Sequence, residues 1–118
     1  HGVRCTDDPD LVERLARERT PLTVCPLSNV KLCVFPTLAD HNLPALLGAG
    51  LCATVNSDDP AYFGGYLNQN FVETFAALPQ LSARDAYRLA RNSFEASFAP
   101  AEDKARWIAA LDHAFAHA

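Results

Sequence analysis

Asn56-Ser57-Asp58-Asp59-Pro60 sets two carboxylates side by side directly after the apolar run Leu51-Cys52-Ala53-Thr54-Val55. Adjacent carboxylates repel each other, and both stay ionised comfortably only with a cation or hydrogen-bond donors close by. A strand end is rigid, so a pair placed there can be held at fixed distances from a metal ion and a substrate. The same residue types also favour Asx-turns and helix N-caps, and on residue types alone that structural role is the commoner outcome. The other chemistry-bearing side chains are scattered. His113 and His117 stand at i,i+4 spacing, which can bind metal, but no third ligand is in view and a solvated tail is expected. His41 precedes a predicted helix and is expected to be structural or capping. Ser28 and Asn29 either steady Asp58 and its loop or hydrogen-bond only within their own turn.

Two short apolar runs must position these groups. Leu22-Thr23-Val24-Cys25, stopped by Pro26, reads as a buried strand, with Ser28 and Asn29 in the loop past its C-terminal end. Leu51 to Val55 reads as a second. Between and around them lie helices. Asp8 is an N-cap candidate with Pro9 at the first helical position, and that helix runs out near Thr20-Pro21. Asp40 or Asn42 caps a helix through Leu43, Leu46 and Leu47, with Gly48 and Gly50 as its C-cap candidates. Short apolar strands alternating with helices of this length indicate βαβ units and a parallel sheet covered on both faces. In such folds the C-terminal strand ends are the edge where ligands bind, and both runs deliver their polar residues there.

Beyond Pro60 the pattern is helical. Phe71, Val72, Phe75 and Leu78 mark one face, Ser82 to Asp85 forms a capping pattern ahead of Tyr87, Leu89, Phe94 and Phe98, and Trp107, Ile108, Leu111 and Phe115 stripe a terminal helix. Trp107 and the phenylalanines are expected in the core. Tyr62-Phe63-Gly64-Gly65 either walls the pocket or packs beneath it, and its glycine pair is too short a signal for a phosphate loop. A two-stranded sheet leaves two open edges, a liability unless they are covered, which argues for part of a larger barrel.

Composition bounds the rest. The 118 residues are 49% hydrophobic and 20% charged, with a formal net charge of -4, so a soluble globular domain is expected, without a basic footprint for nucleic acid or a membrane surface. No apolar run is long enough to span a bilayer. Cys5, Cys25, Cys33 and Cys52 form no CxxC pair, which favours reduced, mostly buried thiols in a cytoplasmic protein. The chain has no methionine and opens at His1-Gly2, so it reads as a fragment whose functional site also draws on residues upstream.

Taken together, His1-Gly2, Val24-Cys25-Pro26-Leu27-Ser28-Asn29, His41 and Asn56-Ser57-Asp58-Asp59-Pro60 stand in an order and at separations that resemble the adenosine/adenine deaminase family of metal-dependent amidohydrolases. Cys25 to Leu32 and Asn56 to Gly65 look closer to its adenine deaminase branch. The resemblance covers essentially this whole chain but only roughly the last third of the family's catalytic domain. It implies an α/β fold, namely the C-terminal portion of a TIM (β/α)8 barrel with additional C-terminal helices, residues 1–118 being a C-terminal piece of one deaminase domain.

It further implies a single catalytic zinc, a small-molecule purine substrate, and hydrolytic deamination of a 6-aminopurine, adenine to hypoxanthine and ammonia. Carried over residue by residue, Asp58 matches the zinc-binding aspartate that contacts the attacking water, and Asp59 the aspartate that hydrogen-bonds the purine imidazole edge. His1 matches the histidine that orients the attacking oxygen. The family's HxH pair, its further zinc-binding histidine and its HxxE acid/base segment are absent here, so the remainder of the barrel is needed and this chain alone is expected to be inactive. Two rivals stay open: adenosine as the substrate, and a non-catalytic βα domain that binds a partner through its open sheet edges, with Asp58 and Asp59 serving only as caps.

Overall fold

The computed structural model describes residues 1–118. A 3-10 turn over Val3–Asp7 leads into α1 (Pro9–Glu18). The Asp8 carboxylate caps α1 by accepting from the N–H groups of Asp10 and Leu11 at 3.1 and 3.2 Å, and Pro9 fills the first helical position, where a missing N–H costs nothing. The chain then enters β1 (Pro21–Val24), turns into α2 (Pro26–Lys31), and passes a second 3-10 turn at Leu38–Asp40 before α3 (Leu43–Gly48). Next come β2 (Cys52–Val55), the short α4 (Pro60–Phe63), and α5 (Leu67–Ala77), α6 (Ala83–Ala96) and α7 (Ala101–Ala116). No helix is long and apolar enough to cross a membrane.

β1 and β2 pair in parallel, Pro21 opposite Cys52 and Val24 opposite Val55. The register brings both C-terminal ends level, so the segments that leave Val24 and Val55 emerge on one edge. Leu22 and Val24 of β1 join Leu43, Leu46 and Leu47 of α3, Leu51, Ala53 and Val55 around β2, and Leu78 and Leu89 in one buried core. α6 lies across β2 and is pinned by polar contact as well as packing: the buried Asn92 side chain donates to the Ala53 carbonyl at 2.8 Å. Ser82 and Asp85 form a reciprocal capping box at its start, the arrangement expected from their spacing.

Three expectations need correction. Only β2 is buried on both faces; in β1, Pro21 and Thr23 are exposed while Leu22 and Val24 are buried, because Thr23 faces an open cleft at the strand ends and nothing in the chain covers it. Pro26 does not lead into a loop. It takes the first position of α2, so Ser28 and Asn29 lie on a helix, both buried. The aromatic stripe of α7 is not core: no α7 residue is buried, and Phe115 is 38% exposed. α7 docks mainly on α6, through Phe94 against Trp107 and Tyr87 against Phe115 at ring-centroid distances of 5.9 and 4.9 Å, and one neighbouring helix cannot enclose a stripe of large rings. Among the cysteines, Cys5, Cys25 and Cys52 are buried and Cys33 is exposed, and none is in a disulfide.

Candidate active site

Asp58 and Asp59 are adjacent in sequence but their carboxylates do different things. Asp58 adopts left-handed backbone geometry with φ 56°, which aspartate tolerates better than most residues. Its Oδ2 accepts from the Ser28 hydroxyl at 2.7 Å and lies 3.4 Å from His1 Nε2. Asp59 Oδ1 accepts from the N–H groups of Ala61 and Tyr62 at 3.0 and 3.2 Å and caps α4. The donors that adjacent carboxylates require are therefore present. Ser28 serves one acid and two helix amides serve the other, so the pair is relieved of mutual repulsion by divergence.

Each partner of Asp58 is held by a distinct element. Ser28 stands in the first turn of α2, whose N-terminus carries no side-chain cap of its own. The buried Asn70 of α5 supplies one instead, accepting from the Leu27 N–H at 3.2 Å while its amide donates to the Tyr66 carbonyl. His1 is carried against the end of β1 by Gly2, which has φ 85° and an α-hydrogen facing Leu22; a Cβ there would stand 2.6 Å from Leu22 Cδ2. Only glycine permits that approach, which gives the His1-Gly2 pair a physical reason. At the strand ends, Asn56 donates to the Val24 carbonyl and to Thr54 Oγ1, fixing the segment that leads to Asp58.

His1, Asn56 and Asp58 border an open cleft of about 440 Å3, lined also by Thr23, Cys25, Ser57 and Leu67; Asp59 is not part of its lining. The sequence reading gives Cys25 no role in the site, yet its Sγ lies within 4.8 Å of the His1 and Asp58 ligand atoms. Burial first, and then the negative charge of Asp58, push its thiol up to about 11, and its S–H is aimed at the Thr23 carbonyl at 3.3 Å. Without a metal ion Cys25 is thus a neutral thiol. The Asp58 carboxylate at the cleft suits zinc in kind, but catalytic zinc takes three protein ligands plus an open position. This chain offers part of such a set.

Asn29, beside Ser28 on α2, turns to a different partner. Its Nδ2 lies 3.3 Å from His1 Nδ1, and its Oδ1 lies 3.0 Å from Nε2 of the buried His41. His41 Nδ1 in turn accepts from the Leu43 N–H at the start of α3 at 3.0 Å, so its capping contact is real but accompanies a second one toward the site. His113 and His117 lie far along α7, exposed, their rings 4.1 Å apart. Phe63, Gly64 and Gly65 line a separate hollow with Leu27, Lys31 and Gln69, and Tyr62 is exposed.

Comparison with known proteins places this geometry in context. The sequence profile described as adenosine deaminase matches residues 1–114. Adenine deaminase of Trichlorobacter lovleyi is 70% identical over 115 residues, covering 98% of this chain and 33% of that protein. Adenine deaminase of Geotalea uraniireducens is 67% identical over 117 residues, covering 99% and 33%. The crystal structure of adenine deaminase from Arthrobacter aurescens superposes with a TM-score of 0.90 at 49% identity over 96% of this chain and 34% of that one. An amidohydrolase from Burkholderia ambifaria with bound Zn shares the fold at TM-score 0.85 and 24% identity, over 99% of this chain and 33% of its own. The chain spans about a third of the length of the curated relatives it matches. Its mixed, mostly helical α/β fold matches the C-terminal part of the amidohydrolase barrel.

Proposed function

Because this chain belongs to the adenosine deaminase family, we propose that it supplies one side of the active site of a zinc-dependent adenine deaminase, which hydrolyses adenine to hypoxanthine and ammonia. Residues 1–118 then form the C-terminal portion of a single barrel domain. The observation that carries the reading is the convergence of His1 and Ser28 on the Asp58 carboxylate at the level strand ends, 3.4 and 2.7 Å from Oδ2. The relatives named adenine deaminase at 67% and 70% identity support the substrate. The zinc-bound neighbour of the same fold supports the metal.

In this reading Asp58 is a metal ligand, and His1 and Asp58 are the catalytic groups of this chain. Zinc held here would activate water as a Lewis acid, lowering its pKa towards about 7. Ser28 fixes the rotamer of Asp58 by hydrogen bonding to Oδ2 and leaves Oδ1 for coordination. His1, beside the same carboxylate, orients the oxygen that adds to C6 of the ring. Asp59 binds substrate: Oδ1 is occupied as a helix cap, which leaves Oδ2 as acceptor for a protonated ring nitrogen of the purine. Either the ring nitrogen or the acid must carry the proton of that bond. Thr23 and Leu67 line the same cleft.

The reading requires the remaining ligands and the general acid/base to come from residues outside this chain. Four cysteines with no disulfide fit a reducing compartment, and we assign the reaction to purine salvage in the cytoplasm. Turnover of adenine against adenosine by the full-length parent protein tests the substrate. Adenine is expected to be the faster; equal or greater release of ammonia from adenosine would overturn the assignment.

A further inference from the structure

A line of hydrogen bonds runs from a backbone amide to the candidate site, and its direction is set at the backbone end. The Leu43 N–H can only donate, so His41 Nδ1, 3.0 Å away, must accept and carry no proton. His41 is buried and burial lowers its pKa to about 4, so the ring is neutral and its one N–H is on Nε2. That N–H points at Asn29 3.0 Å away and needs an acceptor, which fixes the amide with Oδ1 toward His41 and the NH2 group toward His1. Asn29 Nδ2 then donates to His1 Nδ1 at 3.3 Å. A neutral imidazole that accepts at Nδ1 carries its proton on Nε2, and Nε2 is the atom facing Asp58 Oδ2 at 3.4 Å. The direction of each bond follows from the one before it, with the His1 ring neutral.

We propose that His41 and Asn29 are positioning residues that hold His1 in the Nε2–H tautomer, so that His1 presents a hydrogen-bond donor to the Asp58 carboxylate and to the cleft. Neither residue borders the cleft; both are buried and act through His1. Phe35 packs against the His41 ring at a centroid distance of 4.6 Å, holding the outer end of the line. His1 is the only connection of the line to the reaction, so its catalytic consequence rests on the deaminase reading. The tautomer itself does not.

The experiment uses the full-length parent protein labelled with 15N-histidine. Protonated and unprotonated ring nitrogens are resolved in long-range proton–nitrogen correlation spectra, and His1 is assigned by its loss in His1→Gln. The wild-type spectrum is expected to show His1 unprotonated at Nδ1 and protonated at Nε2. Asn29→Asp replaces the donor facing His1 by an acceptor, so His1 is expected to carry a proton on Nδ1. Exchanging the tautomer of a catalytic imidazole costs up to about 10⁴-fold in kcat, and a loss of at least about 10²-fold is expected here, with KM changed less than about threefold.

His41→Gln, whose amide can still donate to Asn29 Oδ1, is expected to keep the wild-type His1 tautomer, whereas His41→Leu releases the amide and loses it. A wild-type His1 protonated at Nδ1 overturns the proposal, as does an Asn29→Asp protein with unchanged tautomer and kcat. Should Asn29→Asp fail to fold, the wild-type spectrum and the Gln/Leu pair decide. Because the spectra need no substrate, failure of the deaminase reading would appear separately, as absence of ammonia release from adenine by the wild type.

Discussion

Ser28 Oγ lies 2.7 Å from Asp58 Oδ2 and donates to it from a fully buried position on α2. The bond ties the ends of both strands together across 30 residues of sequence. It also settles which of the two aspartates is drawn into the cleft and which stays with its own helix.

Removal of that hydroxyl should free the Asp58 rotamer. Ser28→Ala in the full-length parent protein is expected to weaken metal binding by about 10- to 100-fold, the usual cost of losing a group that orients a ligand. The protein should lose only about 1 kcal/mol of stability. Metal competition titrations and urea unfolding on the same preparations separate the two effects.

Asp59 combines a cap with a proposed contact to the purine, and two substitutions separate them. Asn is as good an N-cap as Asp, so Asp59→Asn should unfold with nearly wild-type stability yet lose at least about 10-fold in kcat/KM for adenine, because an amide cannot take both partners of a carboxylate. Asp59→Ala should lose the same activity and about 1 kcal/mol besides. Equal activity of Asp59→Asn and wild type would exclude Asp59 as an acceptor from the purine ring.

His41 should make stability pH-dependent in a defined window. Burial lowers its pKa from 6.5 to about 4, so between those values the unfolded chain binds the proton that the folded one refuses. Stability from this group is therefore complete above about pH 6.5 and is lost as pH falls towards 4, by about 3 kcal/mol at 1.4 kcal/mol per pH unit. Unfolding free energies measured across that window should fall more steeply for wild type than for His41→Gln.

The thiols should separate cleanly by reactivity. Cys33 is exposed, whereas Cys5, Cys25 and Cys52 are buried with their thiols pushed up, chiefly by burial. At mildly alkaline pH a thiol reagent is expected to modify Cys33 rapidly and the other three only at the rate of unfolding. Fast modification of Cys25 in the folded protein would contradict its assignment as a neutral buried thiol.

Much of the scaffold is legible in the sequence because its signals are local. Asp8-Pro9, Ser82 with Asp85, and the two apolar runs each carry their own geometry within a few residues, and all form the elements expected of them. α2 escapes a reading that takes Pro26 only as the end of a strand. The same proline at a first helical position, with Leu27 and Val30 three apart and Lys31 in the last turn, is a helix signature. The partial burial of Trp107 and the exposure of Phe115 are not legible, since burial depends on how many elements surround α7, and the sequence pattern records only that one face is apolar. The His1–Asn29–His41 line joins residues 12 and 28 apart in sequence. An apolar setting around His41 hints at burial, but its partner is set by the tertiary fold. Asp58 and Asp59 are legible as a pair, whereas their divergence depends on the left-handed backbone at Asp58.

Whether Asp58 is a metal ligand is tested most directly by Asp58→Ala in the full-length parent protein, assayed together for bound zinc and for ammonia release from adenine. A folded protein that retains little zinc and has no measurable turnover is expected. A protein that keeps its zinc and loses only about 1 kcal/mol of stability would show Asp58 to be a structural residue and contradict its role as a ligand.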